Sequence, residues 1–293
     1  MISTLFYLAL APSSAAIVAA PTPEKYVAEI AAWRTAREER LRADGGWLTV
    51  AGLTWLEQGR NRFGSDLGNQ IVLPRSAPAH AGWITFAGTE ATLQVAPGVD
   101  ATIDEQKVRE SLLHADTTGA HEVVVLGSLR FHLIERGGRY GIRVVDLQSS
   151  VRANFAGLKW YPVREEFRID ARFVPHENQR TIDIVNVIGQ VTQRENPGYA
   201  EFEIAGHTVA LEALSDGAEL FFIFRDETST RDTYGAGRFL YAAPPANGHV
   251  VLDFNRAYSP PCAYTAYATC PLPPRANWLD ISIEAGEKDP KLH

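Results

Sequence analysis

Sulfur is nearly absent from this chain, which has one methionine and two cysteines in 293 residues. So few cysteines exclude a disulfide-built scaffold. Clustered positive charge is also missing. Lys and Arg number 28 against 35 Asp and Glu, for a net charge of −7, and no basic run offsets the deficit locally. Nucleic-acid backbones require a gathered basic face, so DNA and RNA are not expected partners. Anionic membrane surfaces are disfavoured for the same reason. After the first twenty residues no apolar run is long enough to cross a bilayer. Familiar catalytic strings are lacking as well: there is no G-x-S-x-G, no H-E-x-x-H and no Walker-type phosphate loop. The eight histidines are scattered without metal-ligand spacing, so neither a metal nor a cofactor is expected.

What remains is an ordinary globular composition, 45% hydrophobic and 22% charged, over a length that suits two domains. Residues 2–20 carry no charge and end in the small residues Val18, Ala19 and Ala20 before Pro21. This pattern predicts a cleaved export signal over 1–20 and a periplasmic protein with no membrane span afterwards; a chain without that signal function would stay cytoplasmic. In an exported protein Cys262 and Cys270 would most simply form a disulfide, with two buried thiols as the alternative.

Thr22-Pro23 reads as a helix start, and Asp44-Gly45-Gly46 as its stop. Tyr26, Ile30, Trp33 and Leu41 make one apolar stripe, with Arg34, Arg37, Glu38, Glu39 and Arg40 on the charged side. The segment 21–46 is therefore a docking brace. Periodicity then switches to two, giving strands over 47–50, 70–73, 83–86, 92–95, 122–126, 129–135 and 140–146. Gly127-Ser128 and Gly137-Gly138 read as hairpin turns. The pattern breaks at 147–163, where 148–155 could form a helical turn or two, and this places a junction between domains at 47–146 and 164–293. A second strand series follows at 168–174, 181–188, 200–204, 208–212, 219–224, 238–241, 250–254 and 279–284, with a turn at Ala205-Gly206-His207. Many short strands with glycine turns predict a mostly β chain: a sandwich, then a second antiparallel sandwich or barrel closed by a proline-rich tail.

The tail concentrates polar and aromatic residues. Asp226, Asp253, Glu287 and Tyr258 are the candidate catalytic groups, and Arg225, Arg238, Tyr234, Asn255 and Tyr264 are candidate ligand binders. Alternation would put Asp253 and Asn255 on one strand face. Three readings fit. The cluster is a buried polar lock for proline-stiffened backbone. Alternatively it is a pocket for a small polar ligand or a protein partner. As a third reading it is a hydrolase site with two carboxylates of divergent pKa.

Two resemblances add to this. Gly59-Arg60-Asn61, the Asn69–Pro74 stretch and His80 resemble the forkhead-associated phosphopeptide module, which implies a sandwich and phosphopeptide recognition through Arg60. The family's serine position is Ala77, with Ser76 one residue out of step, so that recognition is disfavoured. Trp47-Leu48, Gly52 to Leu56, Gly59, Thr233-Tyr234, Gly237 to Leu240, Asp253 to Tyr258, Pro261 to Tyr264, Cys270 to Pro274, Asn277 and Ala285 to Lys288 together resemble a bacterial domain-of-unknown-function family, number sixteen eighty-four. That resemblance singles out the tail as the family's common feature and implies no activity.

Overall fold

The computed structural model describes residues 22–292; the expected export signal lies outside them. Helix α1 spans Pro23–Arg42, where the Thr22 hydroxyl accepts a hydrogen bond from the Lys25 amide. Its buried residues are Tyr26, Ile30, Arg37 and Leu41. Arg37 thus lies on the docking face and not on the solvent side expected of it. It sits one helical turn from Trp33 and from Leu41, so the apolar stripe passes directly over it. No strand forms over 47–50 either. Trp47–Thr49 is a 3-10 turn held by the Thr49 amide and hydroxyl on the Gly46 carbonyl, at 2.8 and 2.6 Å.

The first strand series comprises β1 (Val50–Trp55), β2 (Gly59–Gly64), β3 (Ile71–Val72), β4 (Gly82–Ala87), β5 (Glu90–Val95), β6 (Thr102–Ile103), β7 (Gln106–Lys107), β8 (Glu110–Leu113), β9 (Val124–Leu126), β10 (Leu129–Arg136) and β11 (Arg139–Asp146). They form a six-stranded sheet in the order β1-β11-β10-β9-β6-β7 and a five-stranded sheet in the order β3-β2-β4-β5-β8. Strand β2 escapes a reading by periodicity because GRNRFG carries one large apolar residue, Phe63. Phe63, Ile84 and Leu93 of one sheet share a core with Leu129, Phe131, Leu133, Ile142 and Val144 of the other. The pleat turns the alternate residues outward: Arg130 and His132 on β10, Arg143 and Val145 on β11. Gly137 and Gly138, at φ +57° and +78°, supply the two left-handed residues of the type I′ turn joining these strands.

A single short helix, α2 (Ser150–Ala153), precedes the second series. That series is β12 (Arg168–Pro175), β13 (Thr181–Val185), β14 (Val191–Glu195), β15 (Gly198–Ile204), β16 (His207–Asp216), β17 (Glu219–Phe224), β18 (Arg238–Ala242) and β19 (His249–Asp253). Strands β13 and β14 pair alone; the other six form an antiparallel sheet ordered β18-β17-β16-β15-β12-β19. The sheet curls until its edge strands approach each other, as a half-barrel. Its interior holds Phe222, Phe224, Leu240, Leu252 and Phe254, and is plugged from the tail by Leu279, Ile281, Ile283 and Ala285.

That plug alternates like a strand but is not one, contrary to the expectation for 279–284. Its backbone groups are met singly by side chains and by loop amides: the Glu227 amide bonds the Ile281 carbonyl, and the Ile283 amide bonds Asp226. Strand β19 likewise ends at Asp253. Residues Phe254–Arg256 form a 3-10 turn, with the Asp253 carboxylate accepting from the Asn255 amide at 3.2 Å. Asp253 and Asn255 therefore do not share a strand face. No helix among the described residues is long and apolar enough to cross a membrane. Phe222 is fully buried in the half-barrel, so Phe222→Ala should cost about 3–5 kcal/mol in urea unfolding.

Candidate functional site

Three polar networks account for most of the tail residues that stood out in sequence. The first surrounds Arg238 and Asp226, whose side chains are both sealed from solvent and paired at 3.0 Å. Asp226 also accepts from the Thr228 hydroxyl at 2.7 Å and the Ile283 amide at 2.7 Å. Arg238 donates to the carbonyls of Ile283 (3.0 Å) and Ala285. Burial pulls the Arg238 pKa down, and the Asp226 charge opposes that pull. Gly237 makes the approach feasible. At φ +102° a Cβ there would meet the Phe224 carbonyl oxygen at 2.5 Å, so this position needs glycine.

Glu287 anchors the second network. It is fully buried, 3.2 Å from the Arg37 Nε, and accepts the Tyr264 hydroxyl hydrogen bond. Burial first, then the Glu287 charge, raise the Tyr264 phenol well above its usual pKa. Arg37 also donates to the Ser259 carbonyl at 2.9 Å and lies 4.3 Å from the Tyr258 ring centroid. Burial likewise pushes the Tyr258 phenol up to about 12. In the third network the Tyr26 hydroxyl donates to Asp253 at 2.8 Å, and the Asn255 amide nitrogen donates to Tyr26 (2.9 Å) and to the Arg164 carbonyl (2.8 Å). Networks two and three thus fasten α1 to the tail.

Each carboxylate is consumed by structural partners. Asp226, Asp253 and Glu287 are all buried, and none has the open cleft that acid–base work on a substrate requires. Of the other candidates, Tyr234 donates to the Cys262 carbonyl at 3.0 Å, while Arg225 stacks 4.6 Å from the Trp278 ring. Of the nine named tail candidates, Tyr258 lines a cavity of about 290 Å3 and Tyr264 one of about 330 Å3. Cys262 and Cys270 are buried free thiols, with the Cys262 amide 3.1 Å from the Cys270 sulfur, and so stand unbridged. Arg60 stacks on Trp83 at 4.6 Å, and Ala77, at the serine position of the phosphopeptide module, is buried. Sequence reasoning passed over Asn277 as a functional group. It is 1% exposed and bonds the Glu212 backbone at both ends (2.7 and 3.0 Å) and the Ile223 carbonyl (2.9 Å).

Another hollow lies away from the tail. A cavity of about 430 Å3 opens on the outer face of the first six-stranded sheet, beneath the loop that follows α1. Trp47, His121, Arg130, His132, Arg143 and Val145 are in its wall. The register explains the gathering: Arg130 pairs with Val145, and His132 with Arg143, across β10 and β11. These are neighbours on one face. The His121 and His132 rings lie 5.0 Å apart. Burial, then His121 and Arg143, depress His132 to about 4, so it is neutral at ordinary pH. Burial, then Arg136, lowers Arg143 to about 10. The signal that could have found this site was the pair of polar outward positions on two otherwise apolar strands.

Comparison with known proteins gives a family without an activity. The chain belongs to the family described as "Protein of unknown function (DUF1684)", which matches residues 153–288. The Trp47–Gly59 block lies outside that match. An uncharacterized protein of Haloarcula marismortui, solved by solution NMR, is 30% identical, with 48% of this chain and 81% of that chain covered and a TM-score of 0.41. The FhaA FHA domain, in a complex with the intracellular domain of another protein, is 20% identical over 31% of this chain and 96% of its own, with a TM-score of 0.23. A structure described for phosphothreonine-dependent FHA domain interactions is 20% identical over 32% of this chain and 92% of its own, also with a TM-score of 0.23. No curated protein matches the chain.

Two measurements follow from these contacts. Asp226→Ala strands a buried guanidinium and should destabilise the protein by about 3–5 kcal/mol in denaturant melts, whereas Asp226→Leu with Arg238→Met should recover part of that loss. The second concerns pH. Unfolded, His132 titrates near the ordinary imidazole value of 6.5, whereas the folded protein resists protonating it until about 4. The unfolded state therefore binds the extra proton across that window, and His132 makes stability fall as pH drops through it. His132→Gln should flatten that part of a stability-versus-pH curve.

Proposed function

We propose that the protein binds a small molecule in the cavity between the first sheet and the loop following α1, and that the C-terminal motif is the lock that frames it. The observation that carries this is the cavity's mixed wall. Valines and the Trp47 ring supply an apolar surface, and four nitrogen-bearing side chains converge on it. The carboxylates needed by a hydrolase are instead buried in complete networks, which supports binding over catalysis. The cavity also has a tie to the tail. Trp47 packs against the cluster containing Cys262 and Cys270 and against the one containing Tyr264. The uncharged stretch 2–20 supports an exported protein, in which such a site would meet ligands outside the cytoplasm.

The test is NMR titration with small aromatic fragments. Perturbed resonances should cluster at the Trp47 indole, His121 and His132, and Val145→Trp, which fills the hollow, should abolish them while the protein stays folded. Perturbations gathered at the Tyr258 cleft instead would move the site to the tail and sink this reading.

A further inference from the structure

The cavity is built around a charge that the protein leaves unanswered. Arg143 is 8% exposed, yet it has no acidic partner, and its Nε has no hydrogen-bond acceptor, among the described residues. A buried cation in that condition is costly, and native structures ordinarily pair it. The carboxylates within reach are already engaged. Asp116 is gripped by Arg136 at 2.7 and 2.8 Å, and Asp44, the acidic residue in the cavity wall, is paired with Arg152 at 2.6 Å. Arg130 spends one nitrogen on the carbonyls of Gly127 (3.0 Å) and Leu129 (3.1 Å), keeping its charge. His121 and His132 add ring nitrogens beside these guanidinium groups, and the carboxylate in the wall, Asp44, is paired with Arg152 and not with Arg143.

Resting on the reading of this cavity as the ligand site, we infer that its occupant is a small anion, a carboxylate or phosphate carried on a flat apolar body. The anionic group pairs with the Arg143 guanidinium, whose planar fork matches two oxygens at once. The imidazoles of His121 and His132 are placed to donate to the same group. The body lies along Trp47, whose ring centroid is 5.4 Å from the Arg143 guanidinium carbon, and against Val145. Binding gives Arg143 the ion-pair partner that the protein's own side chains do not supply, so affinity depends on the charge of the ligand and not on its shape alone.

Isothermal titration of the full chain with benzoate, phenyl phosphate and the neutral isostere benzamide decides the matter. At least one anion should bind ten times more tightly than benzamide or better, and the preferred anion distinguishes carboxylate from phosphate as the natural group. Arg143→Gln should bring that anion down to the benzamide level while leaving benzamide unchanged. If the variant does not fold, the Arg143 Nε–H resonance of the wild-type protein must shift on titration with the preferred anion; a stationary resonance overturns the inference. Benzamide binding as tightly as both anions also overturns it, yet leaves the cavity as the ligand site. Binding by none of the three overturns the inference and the site together.

Discussion

The second half of this protein depends on one buried ion pair. Arg238 and Asp226 sit at zero side-chain exposure, where an unpaired charge would be intolerable. Their mutual contact neutralises the charge but leaves hydrogen-bonding capacity over. That surplus is used to hold the tail: the guanidinium takes two tail carbonyls, and the carboxylate takes a tail amide. A strand partner could have bonded the same backbone groups. Here the backbone of Arg225 and Glu227 meets the start of the plug, and the two side chains take over from Ile283 to Ala285.

The same physics, with one term removed, defines the cavity. Arg238 and Arg143 are both buried arginines on β-strands. One is supplied with a carboxylate and two carbonyls; the other lies over the Trp47 ring and has no carboxylate partner among the described residues. Both keep a buried Nε without a hydrogen-bond partner, so what sets Arg143 apart is the missing carboxylate. The difference between them separates a group that supports the structure from one available to a ligand.

Much of the architecture was legible in sequence because it follows from local rules. The helix cap at Thr22, the I′ turn at Gly137-Gly138 and the alternation on β10 and β11 each express short-range sterics or pleat geometry. Two of the misreadings share a cause. Arg37 looked solvent-facing and 279–284 looked like a strand because their roles are set by partners about 250 and 57 residues away, Glu287 and Asp226. No local pattern carries that information. The tail was rightly marked as dense in polar side chains, but composition cannot distinguish a carboxylate facing water from one facing an arginine. For the converse reason the cavity was invisible: Arg143 and His132 are unremarkable letters until the register sets them side by side.

The tail and the cavity are nonetheless mechanically linked. Glu287 holds Arg37, and Asp253 holds Tyr26, so the docking of α1 depends on the last residues of the motif. The position of α1 in turn sets the loop from Asp44 to Trp47, which forms one wall of the cavity. Loosening the tail would therefore loosen that wall, both through α1 and through the tail residues packed against Trp47. A motif this demanding in composition is what such an arrangement requires. Glu287 and Asp253, bound by Arg37 and by Tyr26, hold the helix from which the Trp47 loop departs, so the composition of the tail helps to fix the place of one tryptophan.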